Sequence, residues 1–281
     1  MRPKKHLGQN FLYDPSILRR IVQASEISSE DTVVEIGPGH GSLTALLAEK
    51  AKKVIAIELD RELYERLRED TIEYENIELV SGNALRYPYE DLPEFKVVAN
   101  IPYYITTPII FRLIESRGNL ISMTLTVQRE VAKRIAAQPG TKDYGVLSIM
   151  IQYYAIPELK FIIPKGAFRP VPKVDSALIH LQIRKSPPIS VKDEKFFFRV
   201  VKTAFTQRRK TLANALKSII KEQSLHSKDN PPLPPFSKGG VGGFGEIREI
   251  LIHAGIDPQR RPGTLSIEEF ARLADVLYNS Q

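Results

Sequence analysis

The chain contains no cysteine, which excludes a disulfide scaffold, a zinc ribbon, an iron–sulfur cluster and thiol catalysis together. Its five histidines, His6, His40, His180, His226 and His253, lack the short spacings that build a metal site on one element, so no protein metal centre is expected. No stretch approaches the roughly 18 consecutive apolar residues of a membrane helix. The opening Met-Arg-Pro-Lys-Lys-His has no apolar core of the kind a signal peptide needs, so the expectation is a soluble, cytoplasmic protein with no membrane partner. Internal repeats are absent too. What is present is a length of 281 residues with 42% hydrophobic content, enough for two domains with packed cores. Lys and Arg number 40 against 33 Asp and Glu, and the formal charge of +7 is a modest sign of a polyanionic partner.

From residue 32 to about 104 the pattern alternates strand and helix. Short β-branched or apolar runs at 32–36, 53–57, 77–80 and 96–99 are separated by helical spacing over 42–50 and 61–70. This predicts an α/β fold with a doubly wound, mostly parallel sheet, whose ligands sit beyond the carboxyl ends of the strands. Further strands are expected at 122–127, around 149–155, at 159–163 and at 177–183, with a helix over 128–137. Lys185-Ser-Pro-Pro188 reads as a rigid joint, placing a first domain at 1–185 and a small helical one at 186–281. Helices are expected in the second at 194–205, 210–220, 247–254 and 267–278, the last opened by Ser266 as N-cap. Within it, residues 229–245 are proline-rich and then glycine-rich without periodicity, which predicts a disordered insertion.

Three sites carry chemistry. Glu35-Ile-Gly-Pro-Gly-His-Gly41 lies between a strand and a helix, and Gly37, Gly39 and Gly41 let the backbone approach a ligand with no side chain in the way. Position 42 is Ser, so the dinucleotide fingerprint is not met. The spacing resembles instead the S-adenosylmethionine loop of class I methyltransferases, the alternative being a tight turn without a ligand. Glu58, at the end of the next strand, is placed to accept hydrogen bonds from ribose hydroxyls, while Asp60 suits the cap of the following helix. The third site, Asn100-Ile-Pro-Tyr103, follows an apolar strand. An exocyclic adenine amine is a poor nucleophile because its lone pair is delocalised into the ring. Carbonyl oxygens from the Asn100 side chain and the Ile101 backbone can accept both amine hydrogens and favour a tetrahedral nitrogen. Tyr103 supplies a face for the base. The plainer reading is an Asn-initiated turn.

These motifs are joined by Leu7-Gly-Gln-Asn-Phe-Leu12, Gln128-Arg-Glu-Val-Ala132, Phe168-Arg-Pro-Val-Pro-Lys-Val-Asp-Ser176 and Ala204-Phe-Thr-Gln-Arg-Arg-Lys-Thr-Leu212. With them, nearly the whole chain resembles the bacterial ribosomal RNA small-subunit adenine N6,N6-dimethyltransferases, the family acting on paired adenines near the 3′ end of 16S rRNA. The resemblance implies S-adenosylmethionine as cofactor, 16S rRNA in the small ribosomal subunit or its precursor as partner, a part in subunit biogenesis and a monomeric enzyme. It implies that Gln9, Asn10 and Leu12 close over the cofactor, that Glu35, Gly37, Gly39 and Gly41 lie at its methionine end, that Glu58 holds its ribose, and that Asn100 also meets it. Phe168 would sandwich the target adenine opposite Tyr103; on residue type alone, an exposed aromatic on a stiff loop and a core residue are equally good readings.

The family usually has Asp where this chain has Asn83, whose carbonyl oxygen can still accept from the cofactor's adenine amine but without charge assistance. RNA contact is expected from Lys202, Arg208, Arg209, Lys210, Lys217 and Lys221, with Arg129, Lys133 and Arg134 on one helix and Arg2, Lys4 and Lys5 at the N-terminus. Two rival readings are a large-subunit rRNA adenine methyltransferase and an RNA-binding assembly factor with weak or lost catalysis.

Overall fold

A computed structural model describes residues 8–219 and 244–280. The chain divides into two compact units, one of residues up to Ala136 with Tyr154–Lys185, the other of Ala137–Tyr153 with the residues from Ser186 on. The first holds a seven-stranded sheet in the order β4-β3-β2-β5-β6-β9-β7. Its strands are β2 (Thr32–Ile36), β3 (Lys53–Glu58), β4 (Ile77–Ser81), β5 (Phe95–Asn100), β6 (Leu120–Gln128), β7 (Ala155–Ile163) and β9 (Ser176–Ile183). Strands β4 to β6 pair in parallel, while β9 enters antiparallel between β6 and β7. The expected doubly wound, mostly parallel sheet is therefore present. Strand order reverses between β2 and β5, so the crevice rule points to the carboxyl ends of these two strands.

Local chemistry sets the element ends. Asp14 accepts from the Ser16 and Ile17 N–H groups to cap α1 (Pro15–Ala24), and Asp60 accepts from Glu62 N–H to cap α3 (Arg61–Asp70). Helix α2 (Ser42–Ala48) begins at Gly41, whose φ of 77° is left-handed. An added Cβ at Gly41 would overlap Leu67, so glycine is needed there for conformation and for space. Leu18, Ile21 and Val22 of α1 pack with Leu43 and Leu47 of α2 and with Val33, Val54 and Val98 of the sheet. A separate two-stranded ladder pairs β1 (Phe11–Leu12) with β8 (Phe168–Arg169), Leu12 opposite Phe168.

Some expectations change. Residues 149–154, expected as strand, lie in helix α6 (Val146–Tyr154), and β7 starts only at Ala155. A continuous apolar run cannot be told from a buried helix by periodicity, and packing decides. Ile149, Ile151 and Tyr153 are all buried, and the Tyr153 ring meets Phe197 at 5.2 Å. Ala137–Tyr153, expected in a first domain of 1–185, lies instead in the second unit. There Arg208 Nη2 donates to the carbonyls of Lys142 (2.9 Å) and Tyr144 (2.6 Å).

The second unit's other helices include α7 (Glu194–Thr206), capped by Asp193, and a short α8 (Leu212–Ala215); a continuous helix over 210–220 is expected, but a turn at Leu216 separates α8 from residues 217–219, which are helical again. They continue with α9 (Phe244–His253) and α10 (Ile267–Asn279), opened by a Ser266–Glu269 capping box. Phe244 and Gly245, read as the end of the insertion, instead begin α9; the rest of residues 229–245 lies outside the described residues.

Candidate functional site

Where β2, β3, β4 and β5 end, an open cleft lies in the first unit, at the place where doubly wound sheets bind their ligands. Gly37 and Gly39 line it from the turn after β2, Ile57 and Glu58 from β3, Gly82 and Asn83 from the turn after β4, and Asn100 to Tyr103 from the end of β5. Gln9 and Asn10 close one side, and Phe168 forms part of the wall. Of the expected site residues, Gln9, Asn10, Gly37, Gly39, Glu58, Asn83, Asn100, Ile101, Tyr103 and Phe168 meet in one place.

The glycine turn is held by its neighbours. Gly37 N–H donates to the Ile57 carbonyl at 2.9 Å. Glu58 accepts from Gly39 N–H (3.1 Å) through one oxygen and from Asp60 N–H (2.8 Å) through the other. Burial raises the Glu58 pKa, these backbone donors oppose the rise, and the charge of Asp60 adds to it. Gly39 has a positive φ, and a Cβ there would stand 2.9 Å from the Phe11 ring. The other oxygen of the Asp60 cap accepts from Gln9 Nε2 at 3.1 Å, fastening the N-terminal segment to the start of α3.

Asn100 has a defined orientation. Its Nδ2 donates to the Asn10 carbonyl at 3.0 Å. A carbonyl only accepts, so the amide cannot be turned round, and Oδ1 is the atom left for a ligand. Tyr103 is half-buried, and its hydroxyl shares a 2.7 Å hydrogen bond with Ser176 Oγ on the fully buried first residue of β9. Burial raises the Tyr103 pKa, and the Ser176 bond opposes that. Ser176, the last residue of the Phe168–Ser176 motif, is a further site residue that its local sequence does not mark, because only the pairing of β9 with β6 brings it to Tyr103.

Three expected site residues stand behind the cleft surface. Leu12 is buried in the α1 and α2 core, because the β1–β8 ladder turns its side chain inward. Gly41 serves as the N-cap of α2. Glu35 is 2% exposed beneath the glycine turn, and burial, assisted by the nearby charge of Glu58, pushes its carboxyl up to about 8, with the Thr44 hydroxyl opposing. Its Oε2 has no hydrogen-bond partner among the described residues. Phe168 is 1% exposed, so the exposed-loop reading gives way to a buried ring that packs on Leu12 and still forms cleft wall. Asn83 Oδ1 accepts from Leu85 N–H at 3.0 Å, which leaves its Nδ2 for the cleft.

The basic residues also sort by partner. Arg129 lies 3.9 Å from Asp175, and Arg134 pairs with Glu130 on α5 (Arg129–Ala136). Arg208 serves the Lys142 and Tyr144 carbonyls, a structural task. Lys133, Lys202, Arg209, Lys210 and Lys217 are exposed, whereas Arg2, Lys4, Lys5 and Lys221 lie outside the described residues. Among the described residues no group of acidic side chains and histidines could hold a metal ion, and no helix is long and apolar enough to cross a membrane.

The model of the family described as ribosomal RNA adenine dimethylase matches residues 1–230. A Moorella thermoacetica protein called ribosomal RNA small subunit methyltransferase A is 46% identical over 98% of this chain and 92% of its own. Among solved structures, a dimethyladenosine transferase from Plasmodium falciparum superposes with a TM-score of 0.80 at 28% identity, covering 94% of this chain and 95% of its own. The 23S rRNA methyltransferase ErmE gives 0.69, also at 28% identity, over 96% of this chain and all of its own.

Proposed function

The chain belongs to the ribosomal RNA adenine dimethylase family, and from that premise we propose that its substrate is the pair of adjacent adenines in the 3′-terminal hairpin loop of 16S rRNA, methylated in the cytoplasm by a monomer. The reaction is S-adenosylmethionine-dependent dimethylation of adenine N6 in ribosomal RNA. The small-subunit target rests on the 46% identity to the Moorella protein against 28% to ErmE. A part in subunit biogenesis accompanies the chemistry.

The cleft fits the cofactor on its own geometry. A turn free of side chains at Gly37 and Gly39, a carboxylate at Glu58 and an amide at Asn83 are spaced along one groove. When bound, S-adenosylmethionine supplies an electrophilic methyl group. Glu58 would hold the ribose hydroxyls, Gly37 and Gly39 would leave room for the methionine end, and Gln9 and Asn10 would close over it.

The observation that carries the catalytic assignment is the 3.0 Å bond from Asn100 Nδ2 to the Asn10 carbonyl, which reserves Oδ1 for the target amine. Oδ1 accepts one N6 hydrogen, and the Ile101 carbonyl accepts the second. Together they draw the nitrogen toward a tetrahedral shape and free its lone pair. The methylated nitrogen is cationic and releases one proton to water, so that a single hydrogen remains and one acceptor is enough for the second round. Tyr103 and Phe168 bound the base on its faces. Mass spectrometry of small-subunit rRNA from cells with and without the protein tests the reading. Loss of N6,N6-dimethyladenine from the 3′-terminal hairpin is expected; an unchanged small subunit, or loss from the large subunit, would overturn it.

Two smaller predictions concern supporting groups. Asn83→Asp keeps the cap on Leu85 N–H and replaces the Nδ2 donor by an oxygen acceptor. S-adenosylmethionine should then bind tighter by about 1 kcal/mol, near fivefold by calorimetry; unchanged or weaker binding removes Asn83 from the adenine amine. Ser176→Ala and Tyr103→Phe each delete the same 2.7 Å bond. Each should raise the RNA KM by a factor of about five, from roughly 1 kcal/mol of lost ring positioning. The double variant should be no worse than either, whereas additive effects would mean that the two hydroxyls act separately.

A further inference from the structure

The two tyrosines after Pro102 are treated differently. Tyr103 is half-buried with its hydroxyl anchored, whereas Tyr104 lines the same cleft with 56% of its surface exposed. Tyr104 makes no hydrogen bond among the described residues, yet its ring has a fixed backing. Gly8 approaches it with a φ of 58°, so closely that a Cβ on Gly8 would stand 3.1 and 3.3 Å from two ring atoms and 3.9 Å from Pro102 Cβ. The ring is therefore backed by Gly8, with 56% of the residue's surface open.

We propose that Tyr104 is a stacking platform for the nucleobase next to the target adenine, a subsite distinct from the place where the reacting base sits. The inference rests on the adenine-pair reading above. Bringing one adenine into the cleft costs its stacking on the neighbour, and that neighbour is left with an uncovered face at the cleft mouth. A backed aromatic ring restores that contact at small entropic cost, because the ring is already held in place.

The test uses the full-length protein and unmethylated small-subunit particles with either adenine or uracil beside the target adenine. Stacking on an aromatic ring is stronger for the purine. With the adenine neighbour, Tyr104→Ala should raise the particle KM about tenfold and lower kcat far less, while Tyr104→Phe, which keeps the ring, should stay within about twofold of the parent. With the uracil neighbour, the Tyr104→Ala penalty should shrink to about twofold. An equal penalty with both neighbours, or Tyr104→Phe as impaired as Tyr104→Ala, would overturn the platform. If the parent enzyme methylated neither particle, the adenine-pair reading itself would fall and the subsite with it.

Discussion

Asn100→Ala should lower the single-turnover rate of methyl transfer by a hundredfold or more. Removing one preorganised hydrogen-bond partner of the reacting centre costs on the order of 3 kcal/mol in the barrier. The acceptor is strongest where the amine nitrogen becomes tetrahedral, so the loss falls on the chemical step. S-adenosylmethionine affinity by calorimetry should change only a few-fold, through release of the Asn10 carbonyl that Asn100 now holds. A rate within threefold of the parent would remove Asn100 from the mechanism.

The second large effect is on stability and depends on pH. In the folded protein Glu35 titrates at about 8, against 4.5 for the free side chain. Below about 4.5 the carboxyl is neutral in both states and its burial is fully tolerated. Between the two values the unfolded chain releases a proton that the folded chain keeps, so stability falls with rising pH and levels off above 8. At 1.36 kcal/mol per unit the accumulated loss is on the order of 5 kcal/mol. Glu35→Gln removes this slope. Relative to the parent, the variant should gain several kcal/mol at pH 8.5 and almost nothing at pH 4.5, measured by denaturant unfolding at each pH. An equal difference at both pH values would show that Glu35 is ionised in the fold.

Much of the site is legible because in an alternating strand-and-helix chain the chemistry collects at strand ends. Gly37, Glu58 and Asn100 each stand at or directly after the end of a strand, and those strands lie side by side. Depth is not legible in the same way. Strand β2 is buried from Val33 to Ile36, so its sequence gives no exposed face to count from, and Glu35 is assigned to the ligand although it lies beneath the turn. Leu12 and Phe168 go inward for a reason that appears only when β1 meets β8. The Asn100 to Asn10 bond and the Ser176 anchor join residues far apart in the chain, and no local pattern records them. Helix α6 escapes because an apolar run carries no period of its own.

The ladder between β1 and β8 also has a bearing on synthesis. Phe11 and Leu12 leave the ribosome early but have no partner until Phe168 and Arg169 emerge, and contacts of such long sequence separation form late. A nascent chain carrying the glycine turn and Asn100 thus lacks a finished cleft wall for another sixty-odd residues. Cofactor retention becomes a property of the completed first unit, and a chain arrested before Phe168 would hold the parts of the site without being able to close them.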